Sequence, residues 1–88
     1  MNEDVETRRR RAAYRAWHRG TKEMDWVLGR FADSALPAMP AETLGWFERL
    51  LAMPDPDLQQ MILKAEPVPE QEAVAELIRR LRAFHGLG

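Results

Sequence analysis

Eighty-eight residues, 45% hydrophobic and 31% charged, are enough for one small domain, which buries only about 60–65% of its unfolded surface and has no interior for an elaborate active site. The absence of cysteine excludes a disulfide framework and a thiolate metal site. A net charge of −1 argues against a dedicated nucleic-acid binder, although Arg8, Arg9, Arg10, Arg11, Arg15 and Arg19 crowd the first quarter and allow a local basic patch.

In chain order, residues 1–6 carry no helical pattern and are expected to be disordered. A first helix is predicted from about Thr7 to His18, with Ala13, Tyr14 and Trp17 as its apolar face. Gly20 fits the residue just past its C-cap, where a left-handed backbone suits glycine. Arg15, His18 and Arg19 fall where positive charge complements the helix C-terminus. Thr21 is then placed to cap a second helix, with Glu23 and Asp25 in its first turn. Met24, Val27, Leu28 and Phe31 recur at i, i+3, i+4 and i+7. So short a link makes Arg19-Gly20-Thr21 an exposed corner between two helices.

Leu36-Pro37-Ala38-Met39-Pro40 interrupts this pattern, and Pro40 suits the start of a third helix carrying Leu44, Phe47, Leu50 and Leu51. Asp55 as N-cap, followed by Pro56, opens a fourth helix with Leu58, Met61, Ile62 and Ala65 on one face. Pro67 and Pro69 end it, and a fifth follows with Val74, Leu77, Ile78 and Leu81, stopped by Gly86. The expected fold is therefore all-α, a compact bundle of five short helices forming a single domain over residues 1–88. Phe31, Phe47 and Phe84 are expected in its core. Trp26 lies off its helix's stripe and is expected at the core edge or partly exposed.

No catalytic constellation emerges. His18 and His85 sit at the ends of different helices without a carboxylate–histidine motif, so no metal is expected. Ser34 is the single serine and has no glycine elbow. The five glycines form neither a phosphate loop nor a dinucleotide fingerprint. The reading is of a protein that is not an enzyme. Four consecutive arginines on a helix point in all directions and have no interleaved aromatics, so a nucleic-acid-binding regulator stays only an alternative, beside a generic protein-interaction adaptor. Local physics alone explains the corner as helix punctuation.

The segment from Tyr14 to Phe31 resembles the FAD assembly factor SdhE family, also called succinate dehydrogenase assembly factors. The likeness rests on Arg19-Gly20-x-x-Glu23, followed by Asp25, Leu28 and Phe31. A second match is Leu50-Leu51 followed by Asp55-Pro56-Asp57-Leu58. Departures from the family pattern are Thr21, Met61 in place of a usual tryptophan, and Ala65-Glu66 where a glycine is usual before the next proline. The resemblance implies a helical bundle that binds the flavoprotein subunit of succinate dehydrogenase, and often that of fumarate reductase. It further implies that this chaperone promotes covalent FAD attachment in its partner, with no cofactor bound stably to itself. Arg19, Gly20, Glu23 and Asp25 would form the partner-binding surface. No apolar run is long enough to span a membrane and no signal-peptide pattern is present, so a cytoplasmic location is expected.

Overall fold

The computed structural model describes residues 4–88. Its elements are α1 (Val5–Trp17), α2 (Lys22–Ala35), a 3₁₀ turn (Leu36–Ala38), α3 (Ala41–Leu51), α4 (Asp55–Lys64) and α5 (Glu72–Phe84), with no strand among the described residues. The all-α five-helix expectation is met. Helix α1 begins at Val5, inside the stretch expected to be disordered, because Val5 packs against the core and Glu6 pairs with Arg9 one turn on. Residues 1–3 of that stretch lie outside the described residues.

The core follows the apolar stripes. Met24, Leu28 and Phe31 of α2, Leu44, Phe47, Leu50 and Leu51 of α3, Leu58, Met61 and Ile62 of α4, and Val74, Leu77, Ile78 and Leu81 of α5 are buried together. Leu36 and Met39 of the proline-broken connection join them. Full burial of one such side chain contributes about 1.5–3 kcal/mol.

Three expectations need correction. The buried face of α1 is Ala12 and Ala16, whereas Tyr14 is 64% exposed and stacks on His18 at 3.9 Å. Phe84 is 42% exposed, because it occupies the last helical turn of α5 and reaches the core only by setting its ring edge against Phe31. Ala65 is not part of the α4 face. It is the exposed C-cap, in the left-handed region at φ +61. An alanine there is strained by about 1–2 kcal/mol. Ala65→Gly is therefore expected to raise stability by about 1 kcal/mol, read as a higher urea midpoint; an unchanged or lower midpoint would contradict that account.

Small residues let α1 approach α2 closely. A Cβ built on Gly29 would lie 2.2 Å from the Trp17 indole, and that indole is held in place by donating its Nε1–H to Asp33 at 3.1 Å. Gly29→Ala should thus destabilise by roughly 1–3 kcal/mol, despite alanine's intrinsic helix advantage of about 1 kcal/mol. Chemical denaturation of that variant checks the point, and a stabilised variant would rule out the close approach. At the other end of the chain α5 closes with a Schellman arrangement: Gly86 at φ +73 donates its N–H to Ala83 at 3.0 Å, and Leu87 donates to Arg82 at 2.7 Å.

Candidate docking site

The corner between α1 and α2 is built by two kinds of residue, one turned inward and one outward. Helix α1 ends at Trp17 with His18 as C-cap, so Gly20 lies two residues past the cap rather than immediately after it. Its φ of +116 demands glycine, yet a Cβ there would meet nothing within 4 Å. Backbone conformation, not space, requires the residue. Thr21 caps α2 as expected, its Oγ1 accepting the Met24 N–H at 3.2 Å.

Asp25 reaches back across the turn. One carboxylate oxygen accepts the Arg19 N–H at 2.5 Å and the Gly20 N–H at 3.2 Å. Two backbone donors left over by the chain reversal are thereby satisfied with a charge-assisted acceptor.

Arg19 also points inward. Its side chain is only 10% exposed, and Nε and a terminal nitrogen contact Asp55 at 2.9 and 2.7 Å. The same guanidinium donates to the carbonyl of Leu51 and, at 2.9 Å, to that of Met53. A planar fork is suited to serving several acceptors at once. Arg19 therefore complements a helix C-terminus, but that of α3 and not of its own helix. Asp55 is correspondingly the first residue of α4 rather than its N-cap. Pro54 holds the cap position without a side-chain bond, and the Asp55 carboxylate is engaged by Arg19. The fork ties the α1–α2 corner to the α3–α4 corner.

Glu23 and Gly20 face outward. Glu23 is exposed in the first turn of α2, and its carboxylate has no hydrogen bond or ion pair among the described residues. Beside it lies a cleft of about 270 Å³ lined by Glu23, Met24, Trp26 and Val27 of α2 and by Gln59, Ile62 and Leu63 of α4. Trp26 is 49% exposed and Leu63 50% exposed. Of the four residues singled out from sequence, the structure thus brings all to one corner, and presents Gly20 and Glu23 at its surface. Trp26 was visible in the sequence as an off-stripe aromatic; Leu63 had no signal beyond lying off the α4 stripe.

The histidines have structural partners. The His85 Nε2–H donates to the Val27 carbonyl at 2.8 Å, and the His18 Nδ1–H to that of Tyr14 at 2.7 Å. The arginine run disperses. Arg8 pairs with Glu48 on α3 at 2.7 Å, Arg9 bonds Glu6 and the Met39 carbonyl, and Arg10 donates to Thr7. On α5, hydrogen bonds to Glu72 and then Glu76 hold the exposed Arg79 guanidinium above its ordinary pKa. Among the described residues no group of three or more acidic or histidine side chains is placed to hold a metal ion. No described helix is long and apolar enough to cross a membrane.

Comparison with known proteins identifies the family. The family described as flavinator of succinate dehydrogenase matches residues 10–85. The FAD assembly factor SdhE of Acetobacter pasteurianus is 40% identical over 77 residues, covering 88% of this chain and 71% of that protein. The mitochondrial succinate dehydrogenase assembly factor 2 of Candida glabrata is 32% identical over 87 residues, covering 96% of this chain and 57% of its own length. That of Cryptococcus neoformans is 35% identical over 80 residues, covering 91% and 46%. The chain spans about half the length of these fungal relatives. With a match over most of its length, the chain belongs to the succinate dehydrogenase flavinator family.

Proposed function

We propose that this chain is an assembly factor that binds the flavoprotein subunit of succinate dehydrogenase and promotes covalent attachment of FAD to it. The names of its relatives support the assembly role. The observation that carries the docking site is the exposed, unpaired Glu23 carboxylate on a corner whose backbone Asp25 and Arg19 hold fixed. A preset surface of this kind loses little conformational entropy on binding. Gly20 keeps the corner open to a close-fitting partner, Glu23 meets a donor or cation on it, and Arg19 and Asp25 keep both in place.

FAD supplies the reactive ring and the flavoprotein supplies the residue that bonds to it. This chain contributes no reacting group. It favours a client conformation in which the two are aligned, a gain from proximity and population shift. The test is co-purification of purified flavoprotein subunits of succinate dehydrogenase and of fumarate reductase with the tagged chain. The parent chain should retain the succinate dehydrogenase subunit, and Glu23→Ala should not. Retention by both at equal level would refute the docking assignment.

A further inference from the structure

Glu23, Trp26 and Arg30 lie at i, i+3 and i+7 on the outward side of α2, all exposed. The two charges stand about 10 Å apart along the axis at 1.5 Å per residue, a spacing that Glu72 and Arg79 bridge on α5 but that Glu23 and Arg30 leave open, the Arg30 guanidinium lying over Trp26 instead. Neither has an ion-pair partner among the described residues. Between them Trp26 presents a half-exposed indole, with the Arg30 guanidinium over it at 5.5 Å and His85 against it at 5.0 Å. The same indole walls the cleft whose far side is Leu63 and whose rim is Glu23. The His85 ring is itself held by the Val27 carbonyl and by Phe84 at 4.9 Å, so the indole rests on an ordered floor. The result is an ordered strip of acid, apolar cleft and base.

We infer that the docking surface for the flavoprotein client extends from Glu23 across the Trp26–Leu63 cleft to Arg30, and takes a client segment of complementary order: a basic group at Glu23, an apolar side chain in the cleft, and an acidic group at Arg30. This inference rests on the docking role proposed for Glu23. Charge complementarity sets the occupant's chemistry, since a strip with opposite charges at its two ends selects both a sequence and a direction of its partner. An indole in a partly formed pocket is the residue type that concentrates binding energy at an interface. The cleft runs directly from Glu23, so one client covers both.

The experiment measures affinity of the full chain for the purified flavoprotein subunit by calorimetry at two ionic strengths, with helicity of each variant checked by circular dichroism. Trp26→Ala and Leu63→Ser should each weaken binding tenfold or more. Arg30→Glu should weaken it at least tenfold at low salt, with a smaller loss at high salt because exposed charges are screened. If Glu23→Ala weakens binding while Trp26→Ala, Leu63→Ser and Arg30→Glu bind as the parent, the extension is wrong and the corner alone docks. If none of the four changes affinity, the docking reading fails and the extension with it. Should Trp26→Ala only convert a self-associated chain to monomer, with client affinity unchanged, the strip is a contact between copies and the extension is overturned.

Discussion

Replacing Glu23 with alanine should abolish client flavinylation while shifting the stability of the chain by no more than about 1 kcal/mol. The small stability effect follows from its position. Glu23 is exposed, its carboxylate makes no hydrogen bond among the described residues, and its side chain contributes to the fold only as a negative charge in the first turn of α2, which is worth about 0.3–1 kcal/mol. The functional effect follows from the same facts: a carboxylate with no internal partner, on a corner held by four side-chain contacts of Arg19 and two of Asp25, is free to engage another molecule. Thermal unfolding and covalent flavin content, measured on the same variant, separate the two. Loss of stability together with flavinylation would move Glu23 into the fold, and intact flavinylation would remove it from the docking surface.

Arg19→Ala should behave in the opposite way, with the fold failing first. Its removal leaves the Leu51 and Met53 carbonyls without their donor and Asp55 without its partner. Asp55 keeps some access to water, so the expected cost is about 2–3 kcal/mol rather than that of a fully buried pair. For a domain of this size that lowers the melting temperature by roughly 10 °C or more. Arg19→Lys should recover little, because an ammonium on a flexible stem cannot serve three separate acceptors in one plane. Urea denaturation of both variants, and of Asp55→Ala with the double variant, gives the coupling directly. A stable Arg19→Ala that has lost its client would instead mean that the guanidinium turns outward to the partner.

That contrast shows what could be read from the residues alone. The four-position apolar repeats of α2, α3 and α5 are local patterns, and their faces are buried as the pattern requires, except that Val27 of α2 is only half-buried against the core. The α1 face did not, since its burial is decided by how closely the helix approaches Gly29, a tertiary fact. Phe84 was misplaced for a related reason: at the end of α5 the apolar stripe runs off the edge of the bundle. The corner itself was legible through Gly20 and Thr21, whose roles depend on neighbouring backbone. The direction of Arg19 was not. Its partner Asp55 lies 36 positions away, and Asp55 read locally as a helix cap. Likewise the cleft beside Glu23 forms only when α4 lies against α2, so Leu63 carried no sign of it.

Arg19, Gly20, Glu23 and Asp25 are adjacent in sequence, but loss of function at each should arise differently. Arg19 and Asp25 variants act through the geometry of the turn, Gly20 variants through both backbone strain and obstruction, and Glu23 variants through the contact alone. Only Glu23 therefore reports on docking without a stability correction.

We propose that this chain promotes covalent flavin attachment in a partner. The most direct test is to express the flavoprotein subunit of succinate dehydrogenase with and without the chain, in cells lacking any other such factor, and to measure in-gel flavin fluorescence of the denatured subunit. A fluorescent band that is strong with the chain and faint without it is the expected result; bands of equal intensity in the two would contradict the account.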